Sequence, residues 1–188
     1  FKFENIRQYI KNLLSKNISI IPNSSKTKAE ILNFCHELKE ELPFIAENGA
    51  AIYKMNFINS DFPEKIILSR DKDEILNIFL KKIPKKFILK CKFVLKLKKD
   101  EQLKIFGLSE KQLSYASDRE FSVPLLFKGN KVEKNNLFRL ASDMGLTMQE
   151  GGRVINLSDN VCKSIKKKKV RRIFDKTEKQ ELKIIGVG

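Results

Sequence analysis

The sequence predicts an α/β layer with a parallel sheet into which a smaller α+β unit is inserted. Three observations carry this reading. Apolar residues recur first at helical spacing and then in short β-branched runs, in the order helix, strand, helix, strand. A middle stretch then mixes strands and helices so that strands share one face and helices the other. The closing Leu182 to Val187 is an apolar run of the type found in buried parallel strands. The expected layout is a core over residues 1–60, an inserted unit over 61–158 and a return to the core over 159–188.

Each element has a local reason. Phe3, Ile6, Ile10, Leu13 and Leu14 form one apolar helical stripe, which Asn17 can end. Ile18-Ser19-Ile20-Ile21, stopped by Pro22, has the profile of a buried strand. Thr27 and Glu30 stand at capping-box spacing and open a second helix, with Pro43 as its close. Phe44-Ile45-Ala46 and Ala50 to Tyr53 flank the turn residues Glu47-Asn48-Gly49, the layout of a hairpin. Ile66-Ile67-Leu68 reads as a strand, and Asp71 with Glu74 starts a helix that runs to Pro84. From Phe87 to Leu97 every odd position is apolar and lysines occupy even ones, which predicts one or two strands with a lysine-lined face. Helices follow at Glu101 to Phe106, from Ser109 with Gln112 as capping partner, and from Val132 to Met144; strands are expected at Phe121 to Phe127, Thr147 to Gln149 and Val154 to Leu157.

Of 188 residues, 38 are Lys or Arg and 23 are Asp or Glu, a net charge of +15. Two stretches hold that excess: Lys81 to Lys99 has nine cationic residues and no acid, and Lys163 to Arg172 has seven and no acid. The rest of the chain is nearly neutral. An apolar content of 41% excludes a disordered chain. Lys outnumbers Arg 31 to 7, in keeping with an AT-rich genome. Cys35, Cys91 and Cys162 are far apart and in no CxxC pair, against a disulfide framework or a zinc site. With no apolar run of membrane length and no leader at the N-terminus, a cytoplasmic protein is expected.

Ser24 and Ser25 lie between a strand end and a helix start, where hydroxyl donors and the helix terminus suit an anion such as phosphate; a pair of turn serines is the plainer alternative. Pro22-Asn23-Ser24-Ser25-Lys26-Thr27-Lys28-Ala29-Glu30-Ile31 followed by Pro43-Phe44-Ile45-Ala46-Glu47-Asn48-Gly49-Ala50 resembles the second block of the mannosyl-3-phosphoglycerate phosphatases, a sugar-phosphatase branch of the haloacid dehalogenase superfamily. Gly107-Leu108-Ser109, Arg119-Glu120-Phe121 and Gly151-Gly152-Arg153 match that family's cap blocks in order. The resemblance implies a haloacid-dehalogenase-like, Rossmann-like parallel-sheet core with an inserted α+β cap. It also implies a magnesium-dependent phosphatase that works through an aspartyl-phosphate on a small phosphorylated sugar acid.

Carried over residue by residue, the resemblance puts Ser24, Ser25 and Lys163 at the phosphoryl group and Asn48, Arg119 and Arg153 at the rest of the substrate. Around Lys163 the chain reads Cys162-Lys163-Ser164 where the family has Asp-Lys-Gly. The family's DxDGT block would precede Phe1 and its Gly-Asp metal block would follow Gly188. On that expectation these residues are a piece of the enzyme, inactive and poorly stable alone. Asp71-Lys72-Asp73 imitates a nucleophile block, but Asp71 is better read as a helix cap. His36, the single histidine, has no partner at ligand spacing. Two other classes compete with the enzyme: a basic nucleic-acid-binding protein and a catalytically inactive relative. The first is disfavoured because the run from Lys166 has no aromatic residue until Phe174, which fits a solvated helix face.

Overall fold

Two sheets, each covered by helices, are stitched together by a short segment before the longest strand. The computed structural model describes residues 3–58 and 60–160. The elements in order are α1 (Phe3–Leu14), α2 (Lys28–Leu38), β1 (Phe44–Ala46), β2 (Ala51–Tyr53), β3 (Lys65–Ile67), α3 (Lys72–Lys82), α4 (Lys85–Ile88), β4 (Cys91–Phe93), α5 (Lys99–Phe106), α6 (Glu110–Ser117), β5 (Ser122–Phe127), α7 (Lys131–Asp143), β6 (Leu146–Glu150) and β7 (Ile155–Asp159). Lys163, the basic run to Arg172 and the strand expected over 182–187 lie outside the described residues.

The first sheet has the order β1-β2-β3, antiparallel throughout, with Ile45 opposite Ile52 and Ile52 opposite Ile66. α2 lays Ile31, Cys35 and Leu38 on it, against Phe44, Ala46, Ala51 and Tyr53. Ile10 and Leu14 of α1 pack against the same cluster. Full burial of a side chain such as Phe44 or Leu38 is worth about 1.5–3 kcal/mol, so this small core depends on few residues. The parallel pairing expected of the core is confined, among the described residues, to one bridge between Asn23 and Ile45.

Ile18 to Ile21 is therefore not a strand in the described structure. Its approach to β1 begins only where Ile45 N–H donates to Pro22 O at 2.8 Å and Ser24 N–H donates to Ile45 O at 3.0 Å. Pro22 has no N–H with which to extend a ladder. α2 also ends earlier than Pro43: Lys39 takes the left-handed conformation at φ 60°, and its N–H caps the Cys35 and His36 carbonyls.

The second sheet has the order β4-β5-β7-β6, again antiparallel. On one face α3 and α7 bury Ile75, Phe79, Leu137 and Ala141 against Leu125, Leu146 and Leu157; on the other, Val94, Phe106 and Leu113 form a smaller cluster with Leu126. The alternating stretch from Phe87 to Leu97 breaks into the α4 turn, the three residues of β4 and a 3-10 turn over Val94–Lys96. Alternation failed as a guide because Phe87 is buried from a helical turn and Val94, an even position, is fully buried. The lysines there are partly neutralised, Lys90 by Glu133 and Lys92 by Glu101 at 2.9 Å.

β3, which the sequence reading put in the inserted unit beginning at residue 61, is hydrogen-bonded to β2 in the first sheet. The chain crosses to the second sheet through Leu68 to Asp71. There the Arg70 amide and Nε donate to Asp159 Oδ2 at 3.0 and 3.2 Å, Nη2 donates to Oδ1, and Nη2 also reaches Gly145 O at 3.1 Å. Asp159 is the last residue of β7, so this clasp joins the outgoing and returning connections. Burial opposes ionisation of Asp159, but the hydrogen bonds from Arg70 outweigh it and hold the carboxyl below its ordinary value. No helix of the described residues is long and apolar enough to cross a membrane.

Candidate active site

The loop before α2 is held in place by its own backbone and by the β1–β2 turn. Asn48 N–H donates to Ser24 O and Glu47 N–H to Lys26 O, each at 2.9 Å. Ser24 Oγ accepts from the Lys26 amide at 3.2 Å, which leaves the hydroxyl proton available to an acceptor outside the loop. Ser25 is exposed. The turn needs unusual backbone: φ is 45° at Glu47, 61° at Asn48 and 88° at Gly49. Only glycine adopts this region freely, so the two non-glycine residues are held there by the contacts around them.

The N-terminus of α2 is less open than its sequence suggested. Glu30 accepts from the Thr27 amide at 3.0 Å and from Lys26 Nζ at 2.8 Å, so a carboxylate of the chain already sits at the positive end of the helix. Thr27, fully buried, accepts from Glu30 N–H and donates its hydroxyl to Tyr115 O at 2.7 Å. This ties the loop to the end of α6. An anion at this place would rely on the Ser24 hydroxyl more than on the helix terminus.

Beside the loop lies a buried polar group that joins the two sheets. Glu47, 3% exposed, accepts from the amides of Glu120 (2.8 Å) and Phe121 (3.2 Å) and from the Ser122 hydroxyl. Ser122 in turn accepts from Arg119 Nη1 at 2.8 Å. Arg119 is 8% exposed, and its Nε has no hydrogen-bond partner among the described residues. Burial lowers its pKa, and the nearby charges of Glu47 and Glu30 only partly oppose this.

The same segment is anchored on its outer side. Phe121 is buried in the first sheet's core. Glu120 accepts from Tyr53 OH at 2.9 Å and from Lys65 Nζ at 2.7 Å, and Lys72 N–H donates to Glu120 O at 2.8 Å. Burial pushes the Tyr53 hydroxyl pKa up, and its bond to the Glu120 carboxylate adds to the rise. Glu120 itself pays a burial penalty that the bonds from Lys65 and Tyr53 exceed, so its pKa is lowered.

The predicted site residues therefore fall into three places. Ser24, Ser25 and Asn48 share one loop pair, and Arg119 reaches it through Glu47 and Ser122. Arg153 stands exposed in the β6–β7 connection, where its guanidinium covers the α face of Gly107 so closely that a Cβ there would collide with it. Gly107, at φ +59°, thus meets Arg153 of the Gly151-Gly152-Arg153 block, while the side-chain hydrogen bonds of Ser24 and Arg119 go to other residues. Lys163 lies outside them. Asp71 caps α3, accepting from the Asp73 and Glu74 amides, as a structural aspartate should. His36 is exposed. An open groove between α5 and α6 contains the Lys99–Glu110 ion pair and none of the predicted site residues.

Sequence reasoning missed Glu47, Ser122 and Tyr53 as members of this arrangement. The available signal was a carboxylate flanked by buried strand residues, Ala46-Glu47, together with a serine inside the apolar run Phe121-Ser122-Val123. Among the described residues no three His, Cys, Asp or Glu side chains come together as metal ligands.

Comparison with known proteins places this arrangement in context. No protein-family model matches the chain. Several solved structures share its fold. A Thermoplasma acidophilum protein superposes with a TM-score of 0.59 at 13% identity, covering 92% of this chain and 63% of that one. A Streptococcus mutans protein gives 0.59 at 18% identity, over 93% and 70%. A haloacid dehalogenase-like hydrolase from B. subtilis gives 0.52 at 11%, over 88% and 70%. Among curated proteins, the glucosyl-3-phosphoglycerate/mannosyl-3-phosphoglycerate phosphatase of Persephonella marina is 28% identical over all of this chain and 72% of its own length. The chain has a haloacid-dehalogenase-like fold, and the curated relatives it resembles are named as phosphatases. It also resembles the mannosyl-3-phosphoglycerate phosphatase of Pyrococcus furiosus, 27% identical over 95% of this chain and 74% of that protein.

Proposed function

We propose that this protein removes the phosphoryl group of a phosphorylated sugar acid, mannosyl-3-phosphoglycerate being the favoured substrate, to give mannosylglycerate and phosphate. The observation that carries the reading is the pairing of the Ser24 loop with a buried arginine through one turn, in a chain whose curated relatives bear those substrates in their names. In this reading the Ser24 hydroxyl donates to a phosphoryl oxygen, with Ser25 beside it, and the Asn48 turn fixes the loop. Arg119 takes an anionic group of the substrate, because a guanidinium can grip a carboxylate or phosphate with two parallel bonds. Arg153 orients the sugar side from the cap, and Lys163 neutralises the phosphoryl group.

The cap division follows the same reading: residues up to β3 form the core, and the unit between the Arg70 and Asp159 crossings is the cap. An aspartate outside the described residues attacks phosphorus, a second aspartate two residues later gives its proton to the leaving glycerate oxygen, and the same carboxylate then takes a proton from the water that releases phosphate from the aspartyl phosphate. In this reading magnesium would be held by aspartates outside the described residues and would neutralise charge on the phosphoryl group. A cytoplasmic location belongs to the same proposal.

The test is phosphate release by the full-length protein from mannosyl-3-phosphoglycerate, glucosyl-3-phosphoglycerate, glucose 6-phosphate and p-nitrophenyl phosphate. A preference of at least tenfold in kcat/KM for the two sugar acids is expected. Equal turnover of glucose 6-phosphate would refute the sugar-acid reading, and no release from any of them would refute the phosphatase.

A further inference from the structure

Arg119 is an uncommon kind of buried arginine. A buried charge is ordinarily matched by a direct ion pair, because desolvation costs several kcal/mol that only a close counter-charge offsets. Among the described residues Arg119 has no such pair. Its Nη1 reaches a neutral hydroxyl, its Nε reaches nothing, and Glu47 and Glu30 act on it as nearby charges without a direct hydrogen bond, Glu47 being linked to it through Ser122. The guanidinium is thus held in one orientation by a carboxylate that does not consume its charge.

The same Glu47 has a second attachment. Its backbone N–H donates to Lys26 O, and the next residue, Asn48, donates to Ser24 O. One turn therefore holds the Ser24 loop by its backbone and the Arg119 segment by its side chain. The two amide bonds from Glu120 and Phe121 to the Glu47 carboxylate fix the segment's main chain, and the Ser122 hydroxyl fixes the guanidinium relative to it. The side chain of Ser122, 1% exposed, makes no hydrogen bond beyond those to Glu47 and Arg119 among the described residues.

We infer that Glu47 and Ser122 are positioning residues that hold Arg119 as a preformed receptor for the substrate's carboxylate, at a spacing from Ser24 set by the Glu47-Asn48-Gly49 turn. This deepens the phosphatase reading and rests on it for the place of the phosphoryl group. The incoming carboxylate supplies the direct ion pair that Arg119 lacks among the described residues, where Glu47 and Glu30 act on it only from a distance. Positioning by a neutral relay keeps the receptor ready without competing for it, as a direct Glu47–Arg119 pair would.

The experiment is equilibrium binding to the full-length protein of two phosphonate analogues that resist hydrolysis, one of 3-phosphoglycerate and one of glycerol 3-phosphate. They differ only in a carboxylate against a hydroxymethyl group. The unmodified protein is expected to bind the carboxylate analogue at least tenfold more tightly. Ser122→Ala, Glu47→Gln and Arg119→Lys should each bring the affinity ratio towards one. A ratio near one in the unmodified protein overturns the carboxylate receptor. A ratio retained in Ser122→Ala and Glu47→Gln, or an equal loss for both analogues, overturns the positioning role. Glu47→Gln removes a buried charge and is checked by its melting profile; Ser122→Ala, which deletes one oxygen, keeps the test open if that variant does not fold. Because binding is read without turnover, failure of the phosphatase assay and failure of this inference are separate results.

Discussion

Arg70 and Arg119 both lie in connections between the two sheets, and they are held there in opposite ways. Arg70 uses its Nε, one terminal nitrogen and its backbone amide on Asp159 and adds a bond to Gly145 O. Arg119 is the more buried of the two, yet spends one donor on a neutral hydroxyl and leaves Nε unpartnered. A guanidinium built to hold a fold is saturated by its neighbours. One left partly unsatisfied at a seam, near a loop with a free hydroxyl proton, is suited to something that arrives. The difference separates two jobs that sequence reading treats alike, because both arginines sit in a chain where Arg is scarce.

That contrast can be broken by exchanging each arginine for a side chain of similar length without charge. Arg119→Met should lower kcat/KM on the sugar-acid substrate about 30- to 100-fold, the value of a charge-assisted hydrogen-bond pair, while the melting temperature stays within a few degrees because no direct ion pair is lost. Arg70→Met should do the reverse. It leaves Asp159 half-buried without its partner, and thermal melting should report a loss of about 2–3 kcal/mol. A large melt shift for Arg119→Met with none for Arg70→Met would invert the assignment.

A smaller effect follows from pH. The Asp159 carboxyl is lowered in the folded protein, so its contribution to stability is complete above the ordinary aspartate value and is lost as pH falls through the lowered one. Melts of the unmodified protein should therefore weaken below about pH 4 by more than those of Asp159→Asn. If the two proteins share one acid profile, Arg70 and Asp159 are not coupled. The smallest expected change is at Asp71, where alanine removes a cap that accepts two amides and should cost about 1 kcal/mol in a melt, without altering the preference among phosphate esters. A loss of turnover in Asp71→Ala beyond that of the fold would restore the nucleophile reading set aside above.

How legible these features were in the sequence depended on the range of the forces involved. Capping boxes are local, and Thr27–Glu30 and Ser109–Gln112 form as their spacing indicated. The hairpin around Glu47-Asn48-Gly49 was readable for the same reason, as were β5, β6, β7 and α7 within a residue or two. Ile18 to Ile21 was misread because a strand exists only by virtue of a neighbour, and apolar composition says nothing about whether one is paired. Phe87 to Leu97 was misread because its alternation arises by chance across a helical turn, a three-residue strand and a 3-10 turn, whose buried residues Phe87 and Val94 do not share one parity. Ser24 and Asn48 were found through resemblance, and their mutual hydrogen bond agrees with a shared place. Glu47 escaped because its importance lies in partners more than 70 residues away, at Glu120, Phe121 and Ser122.

The Glu47-Asn48-Gly49 turn also has a consequence for how the chain folds. Its left-handed backbone at two non-glycine positions is unfavourable alone, by about 1 kcal/mol or more each. It becomes stable only when the stretches around residues 24–26 and 119–122 have both docked on it. Contacts so far apart in sequence form late, after the local helices and hairpins, because loop closure must precede them. Changes at this turn should therefore speed unfolding while scarcely slowing folding. The spacing between the two halves of the site is thus among the last features the molecule acquires and among the first it gives up.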